Sequence, residues 1–502
     1  MADHCSNTPL KLRISAGLFS FIVMCGLILT RPVATLQDFD QPLYITIAYD
    51  LDRYGTFSNG IYADAESDTD MDSTTRPPAG MFFGPVYPML VYAAMHLDPR
   101  FGAAVRCSVA ADRDDRDDPT CDRYELPMRL LNAVMLAIAL VAIASTAELL
   151  FPSGLTFLLS AAAALVAVAS EAAIFSYIMT EATIFCFYSL FAFSSVQAWK
   201  SGRTAHYLLA GVWLGILCLT KPSFLIQFPL ALLLGALALG GSGRKARDVL
   251  KPLLAFSIAF GCFVGVWVTR NAISVDKFGF TEEYGSVALI ERFAYNIMSV
   301  REFFQAFPYC TPGLGDLAFD KDGGNDSMHR FVYWTRGSFF RLGHDRRDKL
   351  FDEYGRLDPL ISGIARDEMR SNWWRHLLVS IPLAWCGLWA GWIASLFLVP
   401  LFVWACVRSL RDRPPVFLFY TLPALVNLAL DALIGNQNTR YNLILIGPYA
   451  IGTASLVMAW LELGRWRRPF RGPASLPPPS APATSNTGTY GEEVSSSPLT
   501  PP

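Results

Sequence analysis

The sequence predicts an all-α polytopic membrane protein, with about ten transmembrane helices and two large exported loops that form a cap. Three observations predict it. Hydrophobic residues make up 53% of the 502 positions and charged residues only 17%, with a mean hydropathy of +0.33, whereas an ordinary soluble protein carries roughly 25% charge. Ten apolar runs reach or approach the ~20 residues needed to cross a bilayer. Basic residues collect in alternate connections between these runs, as the excess of Lys and Arg on the cytoplasmic side requires.

The runs lie at about 13–30, 128–150, 155–171, 173–196, 205–222, 223–240, 252–270, 388–407, 415–434 and 441–461. The first follows Lys11 and Arg13, and no small-residue cleavage site stands convincingly after it, so it reads as a retained span rather than a signal peptide. With ten spans, Lys200 and Arg203, then Arg244, Lys245, Arg247 and Lys251, then Arg408, Arg411 and Arg413, then Arg465, Arg467, Arg468 and Arg471 all fall inside. Splitting the apolar stretch 376–407 into two spans would carry the Arg-rich C-terminal flank outside, so residues 376–387 read as an interfacial approach. The run Val86–Leu97 is too short to span and reads as lying on the membrane or re-entering it.

Three exported pieces remain, 31–127, 271–387 and the short turn 435–439, and the two long ones hold most of the acidic residues. Residues 1–461 thus form one transmembrane domain. Residues 462–502 are basic and then rich in Pro and Ser, with too few bulky apolar side chains to offset the entropy of ordering, and are expected to be a disordered cytoplasmic tail. The ten cysteines show no metal-ligand spacing. Cys107 and Cys121 bracket the very polar stretch 111–120, which has no means of forming a core. A disulfide in an oxidising compartment would staple it, and two separate thiols are the alternative.

The first exported loop carries the sharpest chemical signal. Leu43, Tyr44, Ile47, Ala48 and Leu51 recur at helical spacing between Pro42 and Gly55, which predicts an amphipathic helix along the bilayer surface. Asp38 and Asp40 stand just before it, so a carboxylate is held near the lipid headgroups. The same position suits a helix N-cap, and both readings stand. Arg129 begins the second span, Lys221 ends the fifth, Arg270 ends the seventh and Arg440 precedes the tenth, all on the exported face, where cations are less expected. Snorkelling to headgroups accounts for any one of them, and together they could clamp a phosphate. Glu181, near the outer end of the fourth span, is costly in lipid and should face a polar cavity or pair with one of these cations. Carboxylates and cations meeting at one bilayer surface point to an enzyme acting on a lipid-linked phosphate. Nothing in the charge pattern suggests nucleic-acid binding.

Asp40-Gln-Pro-Leu-Tyr44, Ile47-Ala48 and Gly55-Thr-Phe57-Ser58 resemble the first-loop pattern of GT-C fold membrane glycosyltransferases, the group that includes the lipid A aminoarabinose transferase and the protein O-mannosyltransferases. Further similarities follow in order: Gly84-Pro85-Val86-Tyr87-Pro88, Pro127-Met128-Arg129-Leu130, Leu219-Thr220-Lys221-Pro222, Trp267 with Arg270-Asn271, and Arg440-Tyr441 with Pro448. Each run alone is weak. Six in the right order cover most of residues 10–460. Gln41 departs from the pattern, since the relatives usually carry Glu there, which puts a metal-assisted or paired-acid arrangement at that position in doubt.

The resemblance implies a GT-C-like fold and an inverting transfer of a sugar from a polyprenyl-phosphate donor to an envelope acceptor, which could be a lipid, a glycan or a protein. It implies Asp40 as general base, with Asp38 a shifted alternative, and Lys221, Arg270, Arg440 and Arg129 as holders of the donor phosphate. Glu181 and Tyr44 would line the polar cavity. The expected location is the cell inner or plasma membrane, with the active site on the exported, periplasmic face. The cofactor stays open: a divalent metal suits the chemistry, but the sequence does not support one. In the second loop Tyr284, Tyr295, Trp334, Trp373 and Trp374 could stack on sugars or simply fill the cap core. A flippase of polyprenyl-linked sugar and a surface-polysaccharide polymerase or ligase would use the same lipid. The lack of paired half-repeats argues against the first, and the first-loop aspartate pattern against the second.

Overall fold

The computed structural model of the protein describes residues 8–32, 36, 39–60, 76–110, 121, 123–240, 245–282, 284–319, 330–332, 335–355, 359–411, 415–435 and 438–461. Asp38, Trp334, the stretch 111–120 and the tail 462–502 lie outside the described residues, as does the side chain of Tyr284.

Among the described residues the chain is built of helices without strands. A first long helix α1 (Leu10–Leu29) leads into a cap segment of α2 (Gln41–Tyr54), α3 (Val86–Leu97) and α4 (Pro99–Ala110). A run of long apolar helices follows: α5 (Leu126–Leu150), α6 (Gly154–Ser170), α7 (Glu181–Ser201), α8 (Thr204–Thr220), α9 (Gln227–Gly240) and α10 (Ala246–Ser274). The second cap segment holds α11 (Tyr284–Phe293), α12 (Val300–Cys310), α13 (Leu314–Ala318), α14 (Phe339–Tyr354) and α15 (Pro359–Gly387). The chain returns through α16 (Trp392–Ser409), α17 (Val416–Ile434) and α18 (Ile446–Leu461).

Eight of these helices are long and apolar enough to cross a membrane: α1, α5, α7, α9 with the 3-10 turn before it, α10, α16, α17, and α18 with its leading turn. The two remaining expected spans appear as α6 and α8, apolar helices of 17 residues each. The protein is therefore a polytopic all-α membrane protein. Apolar side chains such as Ile14, Leu18 and Ile22 of α1 and Leu254, Ile258 and Val266 of α10 are exposed, as lipid-facing surfaces require. Inside the bundle small residues bring helices together. A Cβ on Gly211 of α8 would stand 2.3 Å from the Phe256 carbonyl oxygen of α10, so only glycine allows that approach.

Contacts assign each helix end to one of two faces. At the far face, Arg13 at the start of α1 pairs with Glu148 at the end of α5 at 2.5 Å, and Lys200 at the end of α7 bonds the Leu149 carbonyl. At the cap face, Arg129 at the start of α5 donates to the carbonyl oxygens of Ile28 in the last turn of α1 and of Arg31 and Pro32 just beyond it, at 2.9–3.2 Å. Carbonyls at and just past a helix end need partners from outside the helix, and Arg129 supplies them.

The cap is made of protein packed on protein. The helix α2 begins with a proline in its first turn and stops at Gly55, whose φ of 62° suits a residue without a side chain. Its apolar face does not lie on lipid as expected: Tyr44, Ile45, Ala48 and Tyr49 are buried in one cluster with Tyr87, Val91 and Met95 of α3 and Phe101 and Val105 of α4. The stripe that suits a bilayer surface equally suits two neighbouring helices, and α3 and α4 supply them. In the second segment a capping box of Ser299 and Glu302 starts α12, and Ser338 accepts from Arg341 N to start α14. Tyr295 stacks on Phe339 in the core of this half, while Trp373 and Trp374 are exposed. Helix α15 kinks at Asn372, and beyond the kink it leans on the end of α17. There Val379 and Leu383 meet Ala432, and Trp373, Trp374, Leu377, Leu378 and Ile381 face outward.

Two disulfides fasten the cap. Cys107–Cys121 joins the end of α4 to the approach to α5, and Cys310–Cys386 joins α12 to α15. The second pairing spans 76 residues and has no local polar stretch to announce it.

Candidate active site

The expected fourth span, 173–196, begins as a helix only at Glu181. Before it the chain turns through a 3-10 segment at Ile174–Ser176 and runs extended at Tyr177. Side chains satisfy this exposed backbone: Asn132 donates to the carbonyl oxygens of Phe175 and Tyr177 at 2.9 and 3.1 Å, and Gln41 accepts from Ile178 N at 2.8 Å. The irregular stretch delivers Glu181 to the cap end of the bundle as the first residue of α7.

Four other helix ends converge there. Asp40 immediately precedes α2 yet makes no capping bond to it. Its Oδ2 instead accepts a hydrogen bond from Arg440 Nη2 at 2.6 Å. Arg440 sits in the 3-10 turn Thr439–Leu445 that leads into α18, started by Asn438, whose side chain accepts from Arg440 N. Its Nε lies 3.6 Å from Glu181 Oε1, and Nη2 also reaches the Tyr441 hydroxyl at 3.3 Å. Lys221, released from α8 where Pro222 ends the helix, places Nζ 3.8 Å from the centre of the Tyr441 ring. It is electrostatically coupled to Asp431, Glu181, Arg440 and Asp40. Asp431, one turn from the end of α17, accepts from Asn427 Nδ2 at 2.7 Å.

Three carboxylates, Asp40, Glu181 and Asp431, thus surround two cations, Arg440 and Lys221. The pocket is sheltered: the side chains of Arg440 and Glu181 are 11% and 7% exposed, while that of Asp40 is 43% exposed. Glu181 Oε2 and Arg440 Nε are buried without a hydrogen-bond partner among the described residues. Buried charged atoms left unsatisfied are costly, and a bound polar ligand would satisfy them. Among the described residues no group of three His, Cys, Asp or Glu side chains is placed to hold a metal ion.

Other expected site residues serve the scaffold. Arg129 is buried against Glu125 at 3.2 Å and spends its remaining donors on the end of α1. Arg270 bonds the carbonyls of Gly80 and Phe57 and the side chain of Asn271. Trp267 Nε1 and Asn271 Nδ2 bond the carbonyls of Phe280 and Gly279. The Trp-x-x-Arg-Asn run therefore ties both cap segments to the end of α10. The ring of Tyr44 packs edge-on against Phe83 and Tyr87, in the buried cluster that α2 forms with α3. Tyr441, which the sequence marks only as part of the Arg440-Tyr441 run, joins the site, and so does Asp431, which no sequence motif marks. Asp431 lies inside an expected span, so the cost of an acid in lipid that marks Glu181 marks it equally.

The long apolar helices make the chain a polytopic membrane protein, and a match to a family model over part of it supports a glycosyltransferase-like one. Residues 121–268 match the profile of the dolichyl-phosphate-mannose-protein mannosyltransferase family, a stretch that carries Arg129, Glu181 and Lys221 and excludes Asp40 and Arg440. No curated protein matches the chain.

Proposed function

We propose that the chain transfers a sugar from a polyprenyl-phosphate donor to an acceptor on the cap side of the membrane, with inversion at the anomeric carbon. The observation that carries this reading is the bond between Asp40 and Arg440, which sets a partly exposed carboxylate beside a sheltered guanidinium at the lipid–water boundary. Displacing a phosphate needs a base at the attacking hydroxyl and positive charge on the leaving group. Asp40 takes the proton, while Arg440 in bidentate fashion and Lys221 as a point charge hold the phosphate. The polyprenyl tail stays in lipid throughout. When a phosphate takes over the guanidinium, Asp40 is released to act as base.

Two features support an exported face. Both disulfides lie in the cap, where an oxidising compartment would keep them. Lys200, Arg203, Lys245, Arg247 and Arg408 all lie at the opposite end of the bundle, which the positive-inside rule makes cytoplasmic.

The test is substitution of Asp40 and, separately, Asp38 by Asn in a strain that depends on the protein, followed by analysis of envelope glycolipids, polysaccharides and glycoproteins. Loss of one sugar with Asp40→Asn and its retention with Asp38→Asn is the expected result. A full glycoconjugate profile with Asp40→Asn would remove Asp40 as the base. The first donor to assay is a mannosyl one, since the matched family is named for it.

A further inference from the structure

Above the Asp40 pocket a second charged group is built between α11 and α14. Glu291 Oε1 accepts from Arg347 Nη1 at 2.7 Å and lies 3.7 Å from His344 Nε2. His344 and Arg347, three residues apart, share one side of α14. They reach Glu291 because Gly343 lets the two helices touch: a Cβ there would stand 2.5 Å from the Glu291 carbonyl oxygen. Helix α11 is in turn fastened over the end of α17, where Arg292 Nε donates at 2.9 Å to the carbonyl of Ala432, the residue after Asp431. Glu291 is thus held over the pocket, close enough for the charge of Asp40 to act on it.

The arrangement leaves binding groups open. Glu291 Oε2 has no hydrogen-bond partner among the described residues, and the Glu291 and Arg347 side chains keep 20% and 23% exposure. Burial raises the Glu291 carboxyl to about 7 against the opposing pull of Arg347. Burial also pushes His344 down to about 4, so its imidazole is neutral near pH 7. Its Nδ1 donates to the Phe340 carbonyl at 3.2 Å. Acceptors and donors set side by side match neighbouring hydroxyls of a polyol.

Resting on the glycosyl-transfer reading above, we propose that Glu291, with Arg347, binds the acceptor, a polyhydroxylated group such as a sugar or glycan end, and presents its hydroxyl to Asp40. That hydroxyl oxygen bonds to the anomeric carbon, its proton passes to Asp40, and the anomeric carbon–oxygen bond to phosphate breaks with its electron pair leaving on the phosphate. Glu291 moves no proton in this step; it positions the acceptor.

The test uses the full chain in lipid nanodiscs with radiolabelled farnesyl-phosphoryl mannose, and with its arabinosyl counterpart, as donor probes. Washed membranes from a strain lacking the protein supply the acceptor. Label incorporated into the membranes is read against label released to water as free sugar. Glu291→Gln is expected to cut incorporation at least about tenfold, the effect of losing a charge-assisted hydrogen bond, and to leave release to water within about twofold. Glu291→Asp should recover part of the incorporation. The double variant Glu291→Gln/Arg347→Met removes both charges of the pair and strips its cation only from Asp348, which is 52% exposed and solvated, so it should restore activity if the pair is only structural and stay low if the acceptor binds here. Unchanged incorporation, an equal fall in both products, or recovery in the double variant each overturns the proposal. The parent reading fails separately, if the unaltered protein releases or transfers no label from either probe or if Asp40→Asn leaves both products intact.

Discussion

Asp40 and Arg440 stand 400 positions apart in the chain and meet at 2.6 Å, and the aspartate that precedes α2 gives its carboxylate to this partner instead of capping its own helix. Position before a helix allowed either use. The three-dimensional arrangement separates them, because the first turn of α2 carries Pro42, which has no N–H to cap, while Arg440 arrives from the far end of the sequence with its guanidinium already shielded.

The pairing predicts unequal effects of two substitutions at Arg440. Arg440→Met leaves Asp40 and Glu181 without their cation and removes the planar clamp for phosphate, so transfer from a short-chain polyprenyl-phosphate sugar should fall by about a hundredfold or more. Arg440→Lys keeps the charge but not the fork, and should raise KM for the donor about tenfold with a smaller loss in kcat. Equal kinetics for the Lys variant and the unaltered protein would show that the guanidinium geometry is not used.

Arg129 and Arg270 are expected to behave differently from Arg440. Each donates to backbone carbonyls that tie cap segments to helix ends. Arg129→Met leaves Glu125 buried without its ion pair and should cost about 3–5 kcal/mol. Thermal unfolding in detergent should show the loss, while the fraction that remains folded keeps its KM for donor. A raised KM at unchanged stability would place Arg129 on the phosphate.

How much of this was legible in the chain follows from the range of each interaction. The spans, Glu181 as a paired acid and the cations at helix ends came from local composition and from the cost of charge in lipid, both visible in a window of residues. The roles of Arg129 and Arg270 were not legible, because a cation at a span end looks the same whether it meets a phosphate or a carbonyl. Helix α2 was placed in the right stretch with the right stop, but its apolar stripe did not say whether lipid or α3 would cover it. The Cys310–Cys386 bridge and the Glu291–Arg347 pair join residues whose approach depends on how α11, α12, α14 and α15 fold over the bundle.

Reduction should loosen the cap in a graded way. Cys107–Cys121 closes a loop of 14 residues, for which chain entropy predicts about 3 kcal/mol of stabilisation, and the 76-residue loop of Cys310–Cys386 somewhat more. Cys386→Ser is therefore expected to expose α12 and α15 to protease more than Cys121→Ser exposes α4. Equal cleavage patterns in the two variants would show that the longer loop is held by its other contacts, such as Trp385 Nε1 to the Phe307 carbonyl.

The pH dependence of the first cap segment follows from Asp50. This residue of α2 is buried, with Ser58 Oγ donating to its carboxylate at 2.5 Å. Burial raises its carboxyl from the usual 3.8 to about 7, with the Ser58 bond pulling the other way. The folded state therefore holds a proton that the unfolded chain releases near pH 4. Its contribution to stability is fully present below that pH and is lost as the pH rises to about 7. Asp50→Asn keeps an acceptor for Ser58 and removes the titration. Relative to the unaltered protein, the variant should gain in melting temperature between about pH 5 and about pH 8, because only the aspartate must then be ionised in a buried place. A melting-temperature difference that stays constant across that range would show that Asp50 is already ionised in the folded cap, with its charge met by a neighbour such as Arg53.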